Sequence, residues 1–178
     1  MRLSLALAAA FFLAALPARS EVLDSSPAGF TVRTTVTIGA PPDEVYRRIL
    51  HNIGDWWSSD HTYSGDAHNM SIEEKPMGCF CEKLPNGGVV RHMEVVYLAP
   101  GKTIGLNGAL GPLGPLAAIG SMQIQLTPAG GGTNVVVNYA VAGYLPKGMN
   151  TWAAPVDDVL NEQFTRLKAY VERVASTK

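Results

Sequence analysis

The sequence predicts an α+β domain in which one antiparallel sheet packs against a long C-terminal helix. Short segments of alternating apolar and polar residues recur along the chain, and only one long segment, Val156–Val174, has apolar residues at helical spacing. No internal repeat or long linker divides the chain. A sheet of this kind has one apolar face to bury, and the final helix supplies an apolar stripe that can cover it.

Residues 1–20 form a separate element. Arg2 gives them a positive start, Leu3–Leu16 is apolar, and Ala18–Ser20 has the small-x-small pattern of a cleavage site. This is typical of a secretory signal peptide, and the apolar run is too short to span a membrane comfortably. We therefore expect a signal peptide over residues 1–20, an N-terminal lead-in over 21–29 and one domain over 30–178. The protein would be periplasmic or secreted, with no integral membrane segment after signal cleavage.

The first strand and two short helices come next. Phe30–Ile38 alternates at a period of two and predicts the strand. The segment Gly39–Pro42 ends it, and Pro42 suits the first turn of a helix that carries acidic residues there and continues to about Ile53. The stretch DWWSSDHTYSGD, residues 55–66, predicts a second short helix or a tight loop.

A run of strands follows and gives a curved antiparallel sheet of about six or seven strands. The turn-rich sequence PAGGG, residues 128–132, predicts a hairpin loop between the last two. The predicted strands after the first are Asn69–Lys75, Gly78–Leu84, Val89–Leu98, Lys102–Asn107, 121–126 and 134–141.

Charge and composition exclude some partners. The chain has 15 acidic and 14 basic residues, and two of the basic residues, Arg2 and Arg19, belong to the predicted signal peptide. An exported chain with this balance has no basic surface for nucleic acid. The sequence predicts no cofactor, and it does not determine the oligomeric state.

Several segments together resemble the SRPBCC superfamily, over about Phe30–Val174. They are PPDEVYRRIL, DWW, GCFCEKLPNGG, VRHMEVVYLAPGK, GALGPLGPL and APVDDVLNEQFTRLKAYVE. Within the superfamily they are similar to the branch of homologues of the activator of heat-shock-90 ATPase. The resemblance implies a START-like helix-grip fold with a cavity between the curved sheet and the C-terminal helix. It also implies binding of lipids, sterols, polyketides or other apolar ligands, which some members cyclise or modify. Export would separate this chain from a cytosolic chaperone.

An apolar loop and a tryptophan pair are candidates for the cavity wall. From Thr103 to Pro146 the chain has no charged residue or histidine, and GALGPLGPLAAIG is too broken by Gly and Pro to cross a membrane. The loop, with Leu110 and Leu113, is either a plug at the end of the sheet or a lid over a ligand entrance. Of Trp56 and Trp57, we expect one to pack inward and the other to lie at a rim.

The hairpin GCFCEKLPNGGVVRHME, residues 78–94, carries the polar candidates. A two-residue turn at Asn86-Gly87 would pair Glu82 with Arg91 on the more apolar face, where a charged pair is either structural or anchors a ligand. The predicted ligand-binding residues are Trp56, Trp57, Phe80, Glu82, Arg91, Met93, Tyr97, Leu110, Leu113 and Phe164.

The other face of this hairpin would hold Cys79, Cys81, His92 and Glu94. Their residue types suit a metal ion, although the spacing differs from structural zinc knuckles. Residues i and i+2 of a strand lie about 6.6 Å apart, at the upper edge for a disulfide, so we expect free, outward-facing thiols. A turn one residue longer would shift the register and dissolve both clusters.

Two functions follow from these expectations. The first is a non-enzymatic carrier or sensor of an apolar small molecule. The second is a cyclase or dehydratase in which Glu82 is the general acid or base and Arg91 holds an oxyanion. An arginine partner lowers the pKa of a carboxyl group, which disfavours a base poised near neutrality and places the carrier first.

Overall fold

One sheet and one long helix dominate the protein. The structure, a computed structural model, describes residues 18–177, so residues 1–17 of the predicted signal peptide lie outside the described residues. Over the described part of the chain, the strands form one eight-stranded antiparallel sheet in the order β1-β2-β8-β7-β6-β5-β4-β3. The strands are β1 (Arg19–Ser26), β2 (Gly29–Ile38), β3 (Met70–Ile72), β4 (Cys79–Lys83), β5 (Val89–Ala99), β6 (Thr103–Asn107), β7 (Ala117–Ala129) and β8 (Gly132–Tyr144), and the helices are α1 (Pro42–His51), α2 (Ile53–Trp56) and α3 (Ala153–Ala175).

The core lies between the inner face of the sheet and α3. Residues on β7 and β8 alternate between buried and more exposed positions, and α3 packs against β2 and β1. Burial of each large apolar side chain contributes about 1.5–3 kcal/mol. The predicted helix-grip α+β fold is confirmed. No helix among residues 18–177 is long and apolar enough to cross a membrane. Fully buried side chains from the two layers include Val32, Ile104, Val137, Leu160, Phe164 and Leu167.

The sheet has one strand more than expected, because β1 was not predicted. Residues 21–26 of the predicted lead-in form most of this strand, and Arg19 and Ser20 pair with Thr35 and Thr34 of β2. The side chains of β1 are mostly exposed, so it lacks the apolar alternation that marks the other strands. Main-chain pairing at the edge of the sheet holds it in place.

The β4–β5 hairpin has a different register from the predicted one. The Pro85–Gly87 segment forms a helical turn, with Asn86 at φ 65°, and the Leu84 amide donates to the Gly88 carbonyl at 2.7 Å. Glu82 therefore pairs with Val90, not with Arg91 as predicted.

A β-bulge then restores the predicted register farther along the same hairpin. Cys81 pairs with Arg91 and Phe80 with Met93, so His92 is the extra residue on β5. An extra residue reverses the alternation of a strand, and it turns His92 inward and leaves Arg91 outside. The predicted register is therefore wrong between the turn and the bulge and correct on the other side of the bulge.

Candidate functional site

A cavity of about 250 Å³ lies at the N-terminal end of α3. It is lined by that end of the helix, by β5 and β8, by the loop after α2 and by the loop between β6 and β7. Most of its lining is apolar. The lining residues are Trp57, Asp60, His61, Thr62, Tyr63, His92, Leu110, Gly111, Pro112, Leu113, Tyr139, Trp152, Pro155, Val156, Val159 and Leu160.

The β6–β7 loop closes one side of this cavity. Leu110 and Leu113 are buried and line it, and the Leu110 amide donates a hydrogen bond to the Tyr139 hydroxyl at 2.9 Å. The same hydroxyl donates to the Gly108 carbonyl at 3.1 Å. Burial raises the pKa of Tyr139 to about 12, against the effect of the Leu110 hydrogen bond, so the phenol stays protonated. This position of the loop agrees with both predicted roles, a plug at the end of the sheet and a lid over a ligand entrance.

A glycine on β7 permits the Tyr139 contact. A Cβ at Gly120 would lie 2.6 Å from the Tyr139 ring, closer than real Cβ atoms approach. Glycine at this position therefore lets the phenol reach the Gly108–Leu110 backbone.

A buried Glu82–His92 pair lies beside the cavity. Glu82 is 0% exposed and its carboxylate accepts hydrogen bonds from His92 Nε2 at 3.0 Å, from the Tyr63 amide at 3.1 Å and from the Ser64 amide. Burial opposes ionisation of Glu82, but the hydrogen bonds from Ser64, Tyr63 and His92 outweigh it and lower the carboxyl pKa. Glu82 is consequently a carboxylate, which only accepts hydrogen bonds.

His92 is held as a neutral imidazole. Burial lowers the pKa of His92, and the hydrogen bond and the negative charge of Glu82 only partly oppose this effect. Because Glu82 accepts, the proton of the neutral ring lies on Nε2. Nδ1 is then an acceptor, and it is buried with no hydrogen-bond partner among the described residues.

Aromatic rings fix the orientation of His92. The Tyr63 ring stacks on the imidazole, with ring centres 6.0 Å apart, and Phe80 lies against it at 5.3 Å. The Tyr63 hydroxyl also donates to the Gly111 carbonyl at 3.0 Å, which joins the loop after α2 to the β6–β7 loop. The site can therefore present one fixed basic nitrogen beside an apolar cavity.

Eight of the ten predicted ligand-binding residues lie in three places in or around the site. Trp57, Leu110 and Leu113 lie in the cavity wall. Glu82 stands behind the wall and reaches it through His92. The others that are buried form the core around this site: Trp56, Phe80, Met93 and Phe164.

Two of the predicted placements are wrong. Arg91 is exposed and pairs with Glu94 at 3.2 Å, not with Glu82, because the bulge at His92 leaves it on the outer face. Tyr97 is 57% exposed, because a second register shift between Val95 and Tyr97 reverses the alternation of β5. Trp56 and Trp57 are 2% and 6% exposed, so neither lies at an exposed rim, although Trp57 lines the cavity and Trp56 does not.

The cysteines form a disulfide, which corrects the prediction of free thiols. The Cα atoms of Cys79 and Cys81 lie 5.3 Å apart, within the range for a disulfide. This is shorter than the ideal strand spacing of about 6.6 Å, and the pairing irregularity of β4 falls between Phe80 and Cys81. His92 lies on the inner face, so the four residues of the predicted metal cluster are not together. Residues 18–177 contain no group of three or more His, Cys, Asp or Glu side chains that could hold a metal ion.

Sequence reasoning missed several parts of the site. Tyr63, Tyr139 and Trp152 line the cavity and had no assigned role. Val156 and Val159 belonged to the predicted apolar stripe of the last helix, and their place at its first turns could have indicated a cavity wall. His92 was placed on the wrong face.

The fold agrees with the sequence family. Residues 29–172 match the family described as polyketide cyclase / dehydrase and lipid transport, and the chain belongs to this family. No curated protein matches the chain.

Solved structures show the same fold at low sequence identity. EF2215 from Enterococcus faecalis, a conserved protein of unknown function, has a TM-score of 0.59 at 17% identity, covering 86% of this chain and 77% of that one. MLL2253 from Mesorhizobium loti has a TM-score of 0.58 at 21% identity, covering 80% and 97%. DynU16, encoded in the dynemicin biosynthetic locus, has a TM-score of 0.56 at 17% identity, covering 80% of this chain and 47% of that one.

Proposed function

We propose that this protein binds an apolar small molecule in the cavity at the N-terminal end of α3, as a carrier or sensor. The observation that carries the proposal is the cavity itself, about 250 Å³ in volume and lined mostly by apolar side chains. A cavity of about 150 Å³ is enough for benzene, and drug-sized ligands occupy about 300–1,000 Å³. The ligand is therefore a lipid fragment, polyketide or aromatic of one or two rings.

The proposal also covers where the protein acts and which branch of the family it resembles. The signal peptide over residues 1–20 would export the chain to the periplasm or the exterior. The resemblance to homologues of the heat-shock-90 ATPase activator concerns descent within the family and carries no chaperone role. N-terminal sequencing of the exported protein should find Glu21 first, and an intact Met1 would contradict export.

A cavity-filling variant tests the binding proposal. Val159 lines the cavity and is half-buried on α3, so Val159→Trp would occupy part of the space. Val174 is half-buried on the same helix and does not line the cavity, so Val174→Trp is the matched control.

The measurement is saturable binding of an apolar fluorescent probe. We expect the Val174→Trp protein to bind the probe as the wild type does. The Val159→Trp protein should bind it at least tenfold more weakly, a loss of about 1.4 kcal/mol or more, because the indole would occupy space that the probe needs. Equal binding by all three would show that the probe does not occupy the cavity. Extraction and native mass spectrometry of the protein from its own host would identify the ligand.

The Glu82–His92 pair favours an enzyme as the second candidate. In a cyclase or dehydratase, His92 Nδ1 would take a proton from the bound substrate, and Glu82 would position the ring through Nε2. Glu82 and Arg91 cannot fill the roles expected from the sequence, because Arg91 is on the outer face. Turnover of the extracted ligand by the wild type, and its loss in His92→Gln, would support this candidate. Recovery of the ligand unchanged after incubation with the wild type would favour the carrier.

A further inference from the structure

The unpaired nitrogen of His92 can give the cavity chemical selectivity. It is buried, it has no partner within residues 18–177, and His92 is one of the residues that line the cavity. Buried polar atoms in native proteins nearly always have a partner. The other ring nitrogen is already bonded to Glu82, so Nδ1 is left to accept a hydrogen bond.

From this geometry we infer that the cavity selects ligands with a hydroxyl or N–H donor at one end of an apolar body. His92 Nδ1 accepts the hydrogen bond from that donor. The inference rests on the proposed function and names the class of ligand that the same cavity takes.

The surrounding groups disfavour ligands that carry only an acceptor or a negative charge. An ether or carbonyl oxygen brings no proton to an acceptor, so it would leave the buried Nδ1 unpaired. A carboxylate ligand would place a second negative charge near Glu82, which lies 3.0 Å from the far side of the imidazole. Asp60 also lines the cavity, and His61 there is already paired with Glu162 at 3.0 Å. None of these groups offers a free positive charge to an anion.

Three naphthalene probes test the selection by calorimetry on the purified protein. 2-Naphthol carries the donor, 2-methylnaphthalene matches its size without the donor, and 2-naphthoate carries a negative charge. Transfer from water favours the methyl compound, so tighter binding of the naphthol reports the polar contact. We expect 2-naphthol to bind roughly three- to tenfold more tightly than 2-methylnaphthalene, as one neutral hydrogen bond contributes, and 2-naphthoate to bind most weakly.

Two substitutions at one position separate the roles of the two ring nitrogens. In His92→Gln, the side-chain amide reaches towards Glu82 but leaves no acceptor where Nδ1 lies. In His92→Asn, the shorter side chain can place its oxygen near the position of Nδ1. We expect the naphthol preference to fall below twofold in His92→Gln and to persist in His92→Asn, with thermal melts to confirm that both variants are folded.

The outcomes are distinct. Equal binding of 2-naphthol and 2-methylnaphthalene by the wild type overturns the selection and leaves the proposed function standing. A preference that is unchanged in His92→Gln also overturns it, because another group or a bound water then makes the contact. Failure of all three probes to bind overturns both the selection and the proposed function.

Discussion

Replacement of Glu82 by alanine should destabilise the protein far more than replacement of Arg91. The Glu82 carboxylate is 0% exposed and accepts from His92 Nε2 and from the Tyr63 and Ser64 amides. Alanine would leave these donors without an acceptor. Each buried unsatisfied donor costs about 1–3 kcal/mol, and the loop amides can recover part of this from water, so we expect a total loss of about 3–5 kcal/mol.

Urea denaturation of Glu82→Ala, Glu82→Gln and Arg91→Ala measures this difference. Arg91 is an exposed partner of Glu94, so its removal should change the free energy of unfolding by less than about 0.5 kcal/mol. Glu82→Gln keeps an acceptor oxygen and should fall between the two. Similar losses in Glu82→Ala and Arg91→Ala would refute the reasoning, because they would mean that Glu82 pairs with Arg91.

Further measurements test the same site and its support. Stability should fall in acid, because folding lowers the pKa of His92 from 6.5 and that of Glu82 from 4.5. The unfolded state therefore binds more protons than the folded state, below about pH 6.5 through His92 and below about pH 4.5 through Glu82. Urea midpoints measured from pH 8 to pH 4 should therefore decrease, and a flat profile would contradict the buried neutral imidazole. Tyr139→Phe should cost about 1–3 kcal/mol in the same assay, since it removes the acceptor of a buried amide; no loss would mean that water replaces the phenol. Thiol alkylation should label Cys79 and Cys81 only after reduction, and the double Cys→Ser variant should lose only about 1–2 kcal/mol, because the disulfide closes a very short loop.

The fold could be predicted because its main elements repeat one pattern over many residues. Strands β7 and β8 have 13 residues each and alternate over most of that length, and α3 has 23 residues with an apolar stripe along most of them. Strand β1 could not be predicted from such a pattern, because it is an exposed edge strand held by main-chain pairing. Its side chains face too little of the core to require apolar residues.

The site could be predicted only in part, for a local reason. The absence of charge from Thr103 to Pro146 indicated the wall that holds Leu110 and Leu113. The register of the β4–β5 hairpin depends on the turn formed by Pro85, Asn86, Gly87 and Gly88, and such a sequence is compatible with more than one turn length. The bulge at His92 depends on tertiary contacts with Glu82 and Tyr63 that no local pattern reveals.

The change of partner from Arg91 to His92 alters what the cavity can recognise. An arginine beside Glu82 would have been a permanent cation with only donors, suited to a carbonyl or carboxylate on the ligand. His92, held neutral by burial and bonded to Glu82 through Nε2, offers an acceptor instead. One additional residue in β5 therefore changes the ligand group that the cavity can satisfy from an acceptor to a donor, while the apolar walls stay the same.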